Sequence, residues 1–240
     1  MVEKQKEVFC KAIRKHYGRN AVFDFSQPDL KLGDFGTLEN GVFSYEDNVV
    51  DFGFLSKKDL KRNPDKKIIA AEPYVHWSNG IIKTDGSALL KTDVVDADFS
   101  FKFKKDNQFL FSVMPIKTIS LSNIKSIGKK LRRVYDSGEW EKNYCLVTNI
   151  TITAPSKLVI GSKSGAEITT SGKVNKLQQF IDVAASLNYK SSLKTTQAQN
   201  HSSVVTSLFQ LHTFKKKWGS AKWKSAEKIA GNEEIVFEVA

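Results

Sequence analysis

The strongest constraint on this chain is a run of strict alternation. Val95, Ala97, Phe99, Phe101 and Phe103 alternate with Asp96, Asp98, Ser100 and Lys102. After a polar break at residues 104–108, with Asp106 and Asn107 as turn formers, Phe109, Phe111 and Val113 resume the pattern. Period two with bulky groups on one side is the mark of a strand with one apolar face. Two such runs joined by a turn predict a hairpin over Val95–Val113, ended by Pro115. A second hairpin is expected over Asn143–Thr170. There Tyr144, Leu146, Ile150 and Ile152 share one face, and Cys145, Val147, Asn149 and Thr151 share the other. Ala154-Pro155 breaks that strand, and Leu158–Gly161 and Ala166–Thr170 continue it.

Helices frame these strands. Val8, Phe9, Ala12, Ile13 and His16 form one stripe of a 3.6-residue period over residues 3–17, and Gly18 suits the stop. Leu121, Ile124, Ile127, Leu131 and Val134 predict a second helix, capped by Ser120 or Ser122 and ended by Ser137-Gly138. Val174, Leu177, Ile181 and Ala184 predict a third over Val174–Tyr189. Short strands are expected at Val22–Phe25, Val42–Tyr45, Asn48–Phe52, Lys67–Ala71, Val204–Phe214 and Glu234–Val239, with turns at Asn40-Gly41 and Asn79-Gly80. Ser56–Lys67 reads as an exposed basic loop and residues 190–202 as a polar one. Strands come in hairpins rather than in βα alternation. The expected class is therefore α+β: a mixed, mostly antiparallel, twisted sheet with an amphipathic N-terminal helix and two further helices. With 40% hydrophobic residues there is material for a real core. Residues 1–225 read as one domain and 226–240 as a short acidic segment.

Charge is the second constraint. The 37 Lys and Arg outweigh the 26 Asp and Glu, for a net +11. That implies an anionic partner, either nucleic acid or an acidic membrane. Residues 171–225 hold nine lysines and one acid, Asp182, whereas 226–240 hold four glutamates and one lysine. Either both stretches are ordinary solvated surfaces, or the acidic tail covers the basic region as a lid, with Ile235 and Phe237 in a strand that adds to a sheet edge. Two clusters are candidate lipid or anion sites. Lys129, Lys130, Arg132 and Arg133 lie on the polar side of the second helix. Lys215, Lys216, Lys217, Lys222 and Lys224 surround Trp218 and Trp223, a mixture that suits base stacking and a membrane interface equally well.

Catalytic and metal signatures are missing from the sequence. Asp34-Phe35-Gly36 and Asp51-Phe52-Gly53 spell a kinase magnesium triplet, but no glycine-rich loop or catalytic loop accompanies them, so both read as strand–turn punctuation. The four histidines have no ligand spacing. Cys145 reads as a core thiol and Asp96 and Asp98 as solvated acids. No enzyme activity, cofactor or metal is expected. No apolar run reaches the ~18 residues of a membrane helix, and the N-terminus lacks a leader pattern, so a cytoplasmic protein is expected.

The order of parts resembles the pore-forming domain of the gasdermins, the short bacterial ones in particular. The resemblance is spread over most of the chain and is best at Ile124–Gly172: a helix, Ser-Gly before Trp140, then Tyr144–Thr151 and Leu158–Gly161. The opening helix, Tyr17-Gly18 and Leu30-Lys31-Leu32-Gly33-Asp34 are similar too. The resemblance implies a latent cytoplasmic protein that docks on acidic lipid, assembles into a homo-oligomer and refolds two hairpins into a membrane barrel in cell death or antiviral defence. Phe99, Phe101, Phe103, Phe109 and Phe111 would insert from one hairpin, and Tyr144, Leu146, Ile150 and Ile152 from the other. It further implies acylation (palmitate) near the N-terminus, for which Cys10 is the one matching position, and an inhibitory C-terminal segment released by a protease or another trigger. The alternative is a nucleic-acid-binding or defence-associated accessory domain with no membrane role.

Overall fold

The computed structural model describes residues 2–23, 29–67, 74–77, 81–84, 95–96, 99–102, 107–161, 167–170, 173–174, 196–201, 204–217 and 220–225. In chain order the elements are α1 (Val2–Tyr17), β1 (Asn20–Ala21), β2 (Asp34–Glu39), β3 (Val42–Asn48), a 3-10 turn (Lys57–Asp59), β4 (Lys66–Lys67), β5 (Tyr74–Trp77) and β6 (Ile81–Thr84). Next come β7 (Val95–Asp96), β8 (Phe99–Lys102), β9 (Gln108–Ser120), α2 (Ile124–Asp136) and β10 (Tyr144–Gly161). The last are β11 (Glu167–Thr170), β12 (Lys173–Val174), β13 (Thr196–His201), β14 (Val205–Lys217) and β15 (Ser220–Ser225). The class is α+β with an antiparallel sheet. The chain divides into two compact units built from interleaved segments. One holds Met1–Phe9, Ala70–Pro115 and Thr153–Val205, and the other holds Cys10–Ile69, Ile116–Ile152 and Thr206–Ala240.

In the second unit the strand order is β1-β14-β10-β2-β3, with β15 on β14 and β4 on β9. The β2–β3 hairpin turns at Asn40 and Gly41, whose φ values of 52° and 85° are the left-handed pair that an Asn-Gly turn supplies. Gly36 is fixed by space: a Cβ there would sit 1.9 Å from the Ser44 carbonyl oxygen, at a register shift between the two strands. Phe35 is fully buried and its ring meets Phe52, Phe54, Trp140 and Tyr144 at centroid distances of 5.2 to 5.6 Å. Ile127 and Leu131 of α2 close the same core. In the first unit β5 pairs with β9, β13 with β10, and β8 lies between β6 and β11. Phe9 sets its ring edge-on to Phe109 and Phe111 at 5.1 and 5.3 Å.

Both kinase-like triplets are punctuation as read: Asp34–Gly36 opens β2, and Gly53 closes a turn at φ 89°. Other expectations change. Among the described residues the two arms of the expected Val95–Val113 hairpin do not pair with each other: β8 pairs with β6 and β11, and β9 takes β5, β4 and β10 instead. Pro115 does not end β9. It falls between the segment facing β5, which stops at Val113, and the segment facing β4, which starts at Lys117, so its missing N–H sits between the two pairings. Pro155 likewise leaves β10 unbroken, one residue before its pairing with β13 begins at Ser156. Thr170 pairs with Phe99 rather than with β10. Both faces of β10 are buried from Cys145 to Thr148, so it is a central strand and not a one-faced one. Its more polar positions are covered by Arg19, whose Nη1 donates to Asn149 Oδ1 (3.1 Å) and Thr151 Oγ1 (2.8 Å).

Smaller corrections have local causes. On α1 the buried residues are Gln5, Phe9, Cys10 and Ile13, while Val8 and His16 are exposed; the stripe is rotated by the seat of Phe9. Asn48–Phe52 is a turn because the Asn48 amide donates to Asp34 Oδ1 and accepts from the Val50 N–H. β1 precedes the expected Val22–Phe25 strand, and β13 replaces part of the polar loop. The N-cap of α2 is Asn123 rather than Ser120 or Ser122. Val174 is in β12; the remainder of the third expected helix, the Asn79-Gly80 turn, and Glu234–Val239 lie outside the described residues.

Candidate functional site

The cations of α2 are placed by its apolar stripe. Ile127, Gly128 and Leu131 are buried, so Lys125, Lys129, Lys130 and Arg133 are left exposed on the other side. A second group joins them from the loop read as merely exposed. Asn123 accepts from the Lys61 N–H (3.2 Å) and donates to the Asp59 carbonyl (2.8 Å). Ser122 N–H donates to the Lys61 carbonyl (2.8 Å), and Asn63 donates to Ser120 through its N–H (2.8 Å) and its amide (2.9 Å). These bonds seat the 3-10 turn beside the start of α2, bringing exposed Lys57, Lys58, Lys61 and Arg62 to its cations. The sequence carried no signal for this, because the contacts join main-chain groups to an amide about sixty residues away.

Ion pairs temper the surface. Lys130 meets Asp59, Arg132 meets Asp136 at 2.7 Å, and Lys117 meets Asp65 at 3.0 Å. Hydrogen bonds from Lys130 and then Ser56 hold the Asp59 carboxyl far below the usual carboxylate range, so it stays ionised. Such exposed pairs are worth only ~0–1 kcal/mol, so an anionic partner can compete for their cations. Among the described residues Lys129 and Arg133 have no ion pair. Of the four α2 cations named from sequence, two are therefore open and two are shared with acids.

The second basic cluster lies on the β14–β15 ribbon. Lys215 stands opposite Lys222, and Thr213 opposite Lys224. Lys215, Lys217, Lys222 and Lys224 thus share one face by register, with Lys216 on the other. Trp223 stands opposite Phe214; Trp218 lies outside the described residues.

The remaining candidates are scattered. Phe109, Phe111, Leu146 and Ile150 are buried, and Tyr144 and Ile152 are half-buried. Phe99 and Phe101 lie in β8, opposite Thr170 and Ile168; Phe103, Ile235 and Phe237 lie outside the described residues. Cys10 is 2% exposed and its Sγ donates to the Ala21 carbonyl at 3.7 Å, so an acyl chain there requires α1 to leave its seat. No helix among the described residues is long and apolar enough to cross a membrane, which has no bearing on crossing by strands.

No protein-family model matches the chain. A search of curated proteins likewise finds no significant match.

Proposed function

We propose that the chain is a latent membrane-permeabilising protein of gasdermin type. Its basic surfaces dock on acidic lipid, copies associate side by side, and strands from two segments extend into a barrel. Removal of the acidic C-terminal segment, or another trigger, releases it. The observation that carries this reading is the pairing inside the first unit. The two segments expected to insert are held together there through β8–β11, with β7–β12 just beyond the second segment, while β9 already pairs with β10. Swinging residues 95–102 onto β9 in place of β5, and 167–174 onto β10 in place of β13, yields four neighbouring strands with β9 and β10 in the centre. β9 and β10 run 13 and 18 residues, beyond the ~9–11 that a tilted strand needs to cross a bilayer. Every backbone group in the bilayer must pair, which only a closed barrel of many copies achieves.

In this rearrangement β8 must leave β11. Ser100 and Thr169 are directly opposed on those strands, where Cβ atoms lie ~4.5–5.5 Å apart, near the reach of a disulfide. The double variant Ser100→Cys, Thr169→Cys should bind acidic liposomes when oxidised but release no dye, and reduction should restore release. Dye release by the fully cross-linked protein at the wild-type rate overturns the rearrangement. The opposed lysines of the β14–β15 ribbon favour a second reading, a basic ribbon lying in a nucleic-acid groove. A gel shift at moderate salt, with no liposome binding, would select it.

A further inference from the structure

One recess, bordered by the β14 end of the second basic cluster, carries an inference independent of the membrane reading. It is an open cleft of about 240 Å³ within the second unit. Four elements converge on it: the last turn of α1, the β2–β3 hairpin, the start of β10, and β14. Its floor is apolar, made by Leu38, Phe214 and the buried Cys145. Its lining carries two cations, Arg14, half-buried, and Lys142, exposed. Arg14 comes from α1, and Lys142 and the amide of Asn143 come from the turn before β10. None of the lining residues is acidic. The Thr213 hydroxyl, also in the lining, is already committed to the Tyr144 carbonyl at 2.8 Å.

We infer that this cleft binds a small organic anion, a phosphate or carboxylate carried on a ring or short chain. A guanidinium presents a planar fork that matches either group, and an ammonium adds a mobile second charge. The apolar floor rewards a body that water solvates poorly. Size is consistent as well: an apolar cavity of roughly 150 Å³ accepts a benzene ring, so about 240 Å³ has room for a ring and its charged group. A few convergent polar groups over an apolar base is the usual build of a small-molecule site. The bound anion would tie α1 to β10 and β14 and so favour the compact conformation.

The test is calorimetric titration of the full chain with phenyl phosphate and with benzoate. Phenol serves as the probe without charge and inorganic phosphate as the probe without a ring. Saturable one-site binding of at least one aryl anion is expected, with phenol and inorganic phosphate at least tenfold weaker. Lys142→Gln, at an exposed position whose loss leaves folding intact, should weaken binding about tenfold, since one charged contact contributes ~1.4 kcal/mol. Arg14→Met should weaken it further. Leu38→Trp fills the floor, keeps both cations and should abolish binding while circular dichroism is unchanged. Absence of saturation with both aryl anions overturns the inference, and so does equal affinity in folded Lys142→Gln and Leu38→Trp. Phenol binding as tightly as phenyl phosphate overturns the anionic assignment.

Discussion

At the scale of single residues, His212 makes the clearest demand. It sits in β14 with Nδ1 2.8 Å from Thr148 Oγ1, and burial pushes its pKa from 6.5 down to about 4. The folded chain therefore holds this imidazole neutral, while the unfolded chain protonates it below pH 6.5. Its contribution to stability is complete above that value and is lost as pH falls towards 4. The difference converts to at most about 3 kcal/mol. Asp34 works in the opposite direction, because burial raises its pKa and lets the folded state keep a proton more readily. A variant isolates the histidine. Urea unfolding between pH 7 and pH 4.5 should show a clearly smaller loss of stability for His212→Gln than for wild type. Equal losses would mean that His212 takes up its proton equally in the folded and unfolded chains, so that burial does not depress its pKa. Residues of this kind are hard to read in advance. His212 was one of four histidines without spacing, and only the fold surrounds it with strand.

At the scale of elements, α1, α2 and the Asn40-Gly41 hairpin were legible, because a helical stripe or a left-handed turn depends on residues a few positions apart. Gly18 and Gly138 stop the two helices at φ 63° and 86°, as their positions suggested. The basic surface was only half legible. The α2 cations follow from the stripe, but the Lys57–Arg62 group joins them through Asn123 and Ser122. That seat makes a prediction. Replacing Lys57, Lys58 and Lys61 by Gln should weaken sedimentation with acidic vesicles about as much as replacing Lys125, Lys129 and Arg133. Each basic residue near such a surface contributes ~1 kcal/mol. Asn123→Ala, which changes no charge, should weaken it too by releasing the loop. An effect confined to the α2 triple would show that the loop takes no part in docking.

At the scale of the whole molecule, the balance between the basic body and the acidic end gives the last prediction. Residues 226–240 carry four glutamates, after a segment with nine lysines. Cleavage at a protease site engineered between Ala226 and Asn232 should yield discrete oligomers and dye release from acidic liposomes, while the uncut chain stays inert. Amorphous precipitate without release would instead mark the tail as part of the fold. Local order was already written in neighbouring residues: which extend, which coil and where the chain turns. Side-chain alternation and the 3.6-residue stripe are properties of neighbouring residues, and they produced the α+β class. Partner choice came only with tertiary structure. Val95–Lys102 has the alternation of a hairpin arm, yet β8 bonds to β6 and β11 because every strand offers the same N–H and C=O groups. The competition among them is decided by which faces can be buried together. The polar positions of β10 follow the same logic: Asn149 and Thr151 suit water in isolation, and the hydrogen bonds that cover them come from Arg19, 130 and 132 residues away in sequence.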